Sequence, residues 1–304
     1  MKRVAYITDP IYLKHDTGTG HPESAERLKA IERAVVPMKE KLISVSPVTV
    51  SKSIVEMIHA PEEIETVREA SEAGRAIDPD TVCSHDSYKA ALTAVGAGIV
   101  AIDGIKAGRF DRAFCAVRPP GHHATPETAM GFCLFNNVAI SARYAQSQGY
   151  NKVLIVDFDV HHGNGTQDAF WEDNTVFYFG SHQAYIFPGS GAEQEIGGGK
   201  GAGFTSNHPM MPDSGDKEVL EIYSKELTKD FNYFKPDIVL VSAGYDLHES
   251  DPLAQLHVTT EGIRQIVRKI LDQGEIPSVF FLEGGYNVNA LGKNVAVTIT
   301  EMLK

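Results

Sequence analysis

The segment VLIVDFDVHHGNGTQ (153–167) opens as an apolar run and ends in Asp157, Asp159, His161 and His162. The segment reads as a buried strand, and alternation along it places Asp157, Asp159 and His161 on one side. Carboxylates at the end of a buried strand are costly unless compensated, and a bound cation is the simplest compensation. Asp and His donors suit zinc, iron or cobalt, and catalytic sites typically combine three protein ligands with a position open to water. Asp159 and His161 supply two. An N-cap aspartate beside a core histidine would explain any one of these residues, but not readily the whole cluster. The third ligand is expected from another strand end, and VSAGYD (241–246) offers Asp246 after an apolar run. Alone, Asp246 reads as a turn residue; its partnership with Asp159 and His161 makes it a candidate ligand.

Two further segments carry acid–base and donor chemistry. AVRPPGHHATPE (116–127) sets His122 and His123 in a Pro/Gly loop after another apolar run. An imidazole near its ordinary pKa can take a proton from an activated water and return one to a leaving amine; the alternative is a pair of structural histidines. EGGY (283–286) follows the last apolar run, so Tyr286 is expected over the same edge, where its hydroxyl can donate to a developing oxyanion. Without the other motifs, Tyr286 would read as a core tyrosine.

These residues need strands that end at one edge. Short apolar runs at 4–7, 113–117, 153–158, 176–179, 238–241 and 279–282 read as buried parallel strands. Segments with helical spacing lie between and after them, at 22–35, 87–105, 134–148, 216–234, 261–271 and 288–303. The alternation predicts an α/β fold with a mainly parallel sheet flanked by helices on both faces. Gly and Pro cluster after the strands, at 118–131, 163–165, 188–203, 248–252 and 283–286, where ligands bind in open α/β sheets. With no repeat, low-complexity tract or long linker, residues 1–304 read as one domain.

Composition narrows the function classes. The chain has 304 residues, is 42% hydrophobic and 22% charged, and carries a net charge of −12. That charge disfavours direct nucleic-acid binding, which needs clustered Lys and Arg, and weakly favours a cationic substrate. MKRVAYITDP reads as a first strand and not as a signal peptide. No apolar stretch reaches the roughly 20 residues of a membrane span, so no membrane partner is expected. Cys83, Cys115 and Cys133 show no zinc-knuckle spacing and fit free thiols in a reducing compartment, so a cytoplasmic location is expected.

RPPGHHA (118–124), GFCLFNN (131–137), DFDVHHGNGTQ (157–167), GYDLHESDPL (244–253) and EGGY (283–286) together resemble the histone deacetylase family, especially its class II-like branch and the bacterial deacetylases and acetylpolyamine amidohydrolases. The likeness runs from HPESAERL (21–28) to the last helix. It implies an arginase–deacetylase fold, one zinc ion held by Asp159, His161 and Asp246, tandem histidines at His122 and His123, and a transition-state tyrosine at Tyr286. It also implies that Asp157 faces His122 and Asn164 faces His123, with His123 the preferred general base and acid. Phe132 and Phe187 match the walls of an acyl-lysine channel, Gly131 its floor and Leu253 its rim. The family pattern places a potassium ion near Asp157. Here Gly180 stands where relatives carry a serine ligand, with Ser181 a candidate replacement. Gly163 and Gly244 occupy positions where the arginase branch has bridging acids, so a mononuclear site is expected.

The implied reaction hydrolyses an amide to a free amine and a carboxylate such as acetate. The expected substrate is an acyl-lysine protein or peptide. The alternative is an acetylpolyamine or another acylated small amine. A third reading keeps the fold as a non-catalytic acyl-lysine binder. Leu253 leans against polyamine selectivity, although Asp86 or another loop acid could greet a second ammonium. Oligomeric state is left open by the sequence.

Overall fold

Six of the strands are buried along their whole length, which is why their sequences are built on apolar runs and do not alternate, with polar residues only at ends, such as Arg112, Ser181, His182 and Gln183. The computed structural model describes residues 2–304. The strands are β1 (Val4–Ile7), β2 (Leu42–Val45), β3 (Arg112–Cys115), β4 (Val153–Asp157), β5 (Val176–Gln183), β6 (Thr205–Met210), β7 (Ile238–Ala243) and β8 (Ser278–Leu282). They form one sheet in the order β2-β1-β3-β8-β7-β4-β5-β6, and every pairing is parallel. The helices are α1 (Ala25–Val35), α2 (Lys52–Val55), α3 (Pro61–Ala73), α4 (Ser87–Lys106), α5 (Asn137–Ser147), α6 (Asn164–Ala169), α7 (Asp216–Phe234), α8 (Thr260–Leu271) and α9 (Val288–Met302).

α1, α9, α8 and α7 pack side by side as one layer, while α4 and α5 pair in another beside the central strands. The α/β expectation holds, with corrections at particular elements. The two edge strands, β2 and β6, are absent from the sequence reading. LISV is short and half exposed, and TSNHPM is mostly polar. Both suit an edge, where Pro209 of β6 is tolerated. Contrary to the expectation that no apolar stretch reaches the length of a membrane span, α4 is 20 residues long and apolar enough to cross a membrane by length and composition. It is mostly buried inside the fold, with Ala, Gly, Val and Ile packed into the core.

The arrangement of β3, β8, β7 and β4 positions the site. These four strands are neighbours, although β3 and β4 are consecutive in the chain and β7 and β8 come later. Their carboxyl ends therefore bring RPPGHH, EGGY, GYD and DFDVHH to one stretch of the sheet edge.

Candidate active site

β4 stops at Asp157, so Asp159 and His161 lie in the turn beyond it and strand alternation is not what aligns them. Their backbone folds onto their own side chains: Asp159 N donates to Asp157 Oδ1 at 3.1 Å, and His161 N donates to Asp159 Oδ1 at 2.9 Å. Such Asx-type bonds direct the chain locally. Asp157 thus points to the tandem histidines, while Asp159 and His161 turn toward Asp246.

Asp159, His161 and Asp246 each offer a ligand atom, all within 4.8 Å of one another. His161 Nδ1 lies 3.0 Å from Asp159 Oδ1 and 3.3 Å from Asp246 Oδ2. Asp159 Oδ2 accepts from Gly284 N at 2.8 Å, and Asp246 Oδ1 accepts from Val160 N at 3.0 Å. Asp246 Oδ2 is buried and has no hydrogen-bond partner. A buried carboxylate oxygen in that state is expensive, and a cation among these donors would satisfy it. Burial and the nearby Asp159 push the Asp246 carboxyl above its usual range, as for any two acids crowded together. Gly244 and Gly284 permit the crowding, since a Cβ on either would overlap the Asp159 or Asp246 carboxylate. The donor set suits zinc.

The tandem histidines differ in their partners. His122 Nδ1–H donates to Asp157 Oδ2 at 3.0 Å, and His123 Nδ1–H donates to Asn164 Oδ1 at 2.8 Å. Burial lowers the basicity of both, but Asp159 and Asp157 overcome it at His122 and lift that ring to about 10. At His123, burial with the neighbouring His122 and His161 pushes the ring well below its ordinary value, so it is neutral at pH 7. The loop carrying them rests on Glu283, whose Oε2 accepts from Gly121 N at 2.7 Å and His122 N at 3.2 Å.

Tyr286 stands over the same cluster. Its ring packs edge-on against Phe132 at 5.8 Å, and the Arg27 guanidinium lies 5.2 Å from its centroid. Burial and Asp246 hold its phenol well above its usual pKa, so it remains an O–H donor. Among the described residues no hydrogen bond engages that hydroxyl, unlike a core tyrosine such as Tyr245, which pairs with Thr298 at 3.0 Å. Arg27 donates from Nε to Gly285 O at 2.7 Å and also to Glu283 O. Through Glu23 it is joined to Arg118.

A cleft of about 390 Å³ leads to these groups, lined by His21, Pro22, Asp80, His123, Gly131, Phe132, His161, Phe187, Leu253 and Tyr286. Gly131, Phe132, Phe187 and Leu253 are therefore brought together as the resemblance implies. His123 packs edge-on against Phe187 at 4.9 Å. Leu253 is 42% exposed at the mouth. Sequence reasoning gives His21 and Asp80 no role of their own, and Asp86 stands at the N-cap position of α4, without a side-chain capping bond, and does not line the cleft. His21 Nε2 donates to Asp80 O at 3.1 Å, which joins two loops far apart in sequence. The HPESAERL motif carries His21, Glu23 and Arg27, but their roles follow from contacts that no local spacing displays.

Around Asp157, the serine side-chain ligand of the family's potassium pattern has no counterpart at position 180. Gly180 brings no side chain, a Cβ there would meet the Tyr178 hydroxyl at 2.5 Å, and the Ser181 hydroxyl pairs with that of Tyr223 at 2.9 Å. Each Asp157 oxygen accepts one hydrogen bond, from His122 and from Asp159 N respectively.

Residues 21–302 match the family described as the histone deacetylase domain. The chain is 37% identical to histone deacetylase 10, chloroplastic, of rice, across 99% of this chain and 73% of that protein. It is 35% identical to a probable deacetylase of Archaeoglobus fulgidus, across 91% of this chain and 79% of that one. Among solved structures, the crystal structure of the HDA15 HD domain superposes with a TM-score of 0.95 at 33% identity, covering 99% of this chain and 89% of that one.

Proposed function

Because the chain belongs to the histone deacetylase family, we propose that it is a zinc-dependent deacylase that hydrolyses the amide of an acetylated or other short-acyl lysine. One observation carries the reading: a cleft reaches His161, one of three clustered metal-ligand donors, and another of the three, Asp246 Oδ2, is buried without a hydrogen-bond partner. Asp159, His161 and Asp246 would hold the ion. Zinc there supplies Lewis acidity, polarising an acyl carbonyl and making a water acidic enough to lose its proton near neutral pH.

The chain's own residues supply the rest. His123 lines the cleft and gives its Nδ1–H to the neutral Asn164 amide, which leaves Nε2 to accept the water proton. His122 gives its Nδ1–H to a carboxylate instead, which favours the protonated ring and suits it to stabilise negative charge. As water oxygen adds to the acyl carbon, the Tyr286 hydroxyl donates to the carbonyl oxygen as it gains charge. His123 then returns its proton to the nitrogen as the C–N bond breaks, releasing an amine and a carboxylate. Phe132 and Phe187 flank the aliphatic stem and exclude water from it.

A second reading, an acetylpolyamine amidohydrolase, is favoured by one observation: Asp80 lines the same cleft and could meet a distal ammonium. The apolar, exposed Leu253 at the mouth favours the lysine reading. A cytoplasmic setting fits Cys83, Cys115 and Cys133, all buried free thiols. The test is a panel of acetyl-lysine peptide, longer acyl-lysine peptides and N-acetylated polyamines, compared by kcat/KM on one zinc-loaded preparation. Acetate release from the peptide, abolished by a chelator and restored by zinc, is the expected result. A strong preference for the polyamine reverses the order of the two readings, and no turnover of any acyl amine contradicts both.

A further inference from the structure

The loop that carries Tyr286 is held from two sides, and only one of them is part of the buried arginine network. Arg27 takes carbonyl oxygens on one side, at Glu283 and Gly285. On the other side the amides are taken by Asp251, which lies in the loop after β7. Its Oδ2 accepts from Tyr286 N at 2.7 Å and from Asn287 N at 3.2 Å, while its Oδ1 accepts from Leu253 N at 3.1 Å. Asn287 ties the same two loops again, donating from Nδ2 to Ser250 O at 3.0 Å.

Asp251 is only 8% exposed, and among the described residues no Lys, Arg or His lies within ion-pair distance of it. A buried carboxylate without a cation is a costly way to make ordinary turn bonds. The arrangement is understandable if the orientation of the bonded amides matters, since two consecutive N–H groups converging on one oxygen fix the peptide plane beneath Tyr286. Asn287 also caps α9, so the negative charge sits near that helix's N-terminus, where it is favoured.

We infer that Asp251 is a positioning residue for the reaction: it sets the reach of the Tyr286 hydroxyl over the metal cluster and couples that loop to Leu253 at the rim. The inference rests on the reading of Tyr286 as the oxyanion donor. A displacement of about 1 Å in such a group costs up to about 10²-fold in rate, so the supporting carboxylate matters although it never touches substrate.

The test is a double-mutant cycle on zinc-loaded protein with an acetyl-lysine peptide, comparing wild type, Asp251→Ala, Tyr286→Phe and the double variant. Asp251→Asn, which keeps the shape and one acceptor oxygen, is run in parallel and carries the test if the alanine variant does not fold. The expected result is a loss in kcat of about 10- to 10²-fold for either change at position 251, with KM and zinc content unchanged. That loss should largely disappear when Tyr286 is already phenylalanine. An equal loss in both backgrounds, or a loss that follows zinc content, overturns the inference and leaves the Tyr286 reading intact. Full activity of Tyr286→Phe overturns that reading, and the inference with it.

Discussion

Two groups of buried charges lie close together in this molecule, and they are built on opposite plans. In the first, Glu23 is enclosed by Arg118, which donates to its two oxygens at 2.5 and 2.7 Å, and by Arg27 at 3.0 Å. All three side chains are fully buried, and the remaining guanidinium N–H groups reach carbonyls such as Tyr12 O at 2.8 Å and Gly285 O at 2.7 Å. In the second, Asp159 and Asp246 are crowded together beside His161, glycines make room for them, and Asp246 Oδ2 has no partner. The first group is complete without help. The second leaves two crowded acids with an unmet acceptor that a cation would satisfy, so what distinguishes it is the convergence of donors around that acceptor and not burial alone.

The comparison breaks most sharply on removal of a ligand. Asp159→Ala or His161→Ala is expected to abolish zinc binding and acetate release, because each removes one of three donors. Folding of the metal-free protein should survive, since one of two crowded acids or its neighbour has gone. Elemental analysis with thermal melting checks both parts, and full zinc occupancy in either variant refutes the ligand assignment.

Glu23→Gln should do the reverse. It leaves Arg118 and Arg27 buried without their counter-charge, at a cost of about 3–5 kcal/mol in stability. Burial opposes ionisation of Glu23, but Arg118 and Arg27 hold its carboxyl down at about 2, below the value of about 4.3 for an unfolded chain. Its contribution is therefore complete above about pH 4.3 and is lost as pH falls toward 2. Denaturant unfolding of the two proteins from pH 7 to pH 2 should show a constant gap that narrows only at the acid end.

Tyr286→Phe separates a reaction group from a core group. The hydroxyl is unengaged in the structure, so its removal should leave the melting temperature almost unchanged. Turnover should fall by about 10²–10³, as for loss of one oxyanion donor. Near-normal turnover with a lowered melting temperature would return Tyr286 to the core.

Gly244→Ala makes the smallest change, one methyl group aimed at the Asp159 carboxylate. It should weaken zinc affinity by about 10- to 10²-fold, the scale seen when the surroundings of ligands are disturbed. A competition titration with a chromophoric chelator reads it, and unchanged affinity would mean that the close approach of Asp159 to this glycine has no role in the site.

Much of this could be read from the chain before its structure. The central strands are buried on both faces and announce themselves as apolar runs, and the chemistry-bearing residues follow them directly. What escaped was of two kinds. β6 is mostly polar and contains Pro209, and the apolar residues of β2 are broken by Ser44, so neither carries a strong strand signal. α3 lies outside the helical segments read from the sequence, although Pro61 at its start, Glu62 and Glu63 in its first turn and Gly74 at its end are ordinary helix signals. In the site, Glu23, Arg27, Glu283 and Asp251 act by gripping backbone or by pairing across great sequence distance. Arg27, for example, reaches a carbonyl 258 residues away. Spacing can display a ligand set near a strand end, but not the supports that hold it.

The most direct test of the central claim is calorimetric titration of zinc into metal-stripped protein, with acetyl-lysine peptide hydrolysis measured at each point. The account predicts one zinc per chain and activity that rises in proportion to occupancy, with both lost in Asp246→Ala. Saturation at two ions per chain, or full hydrolysis by the stripped protein, would contradict it.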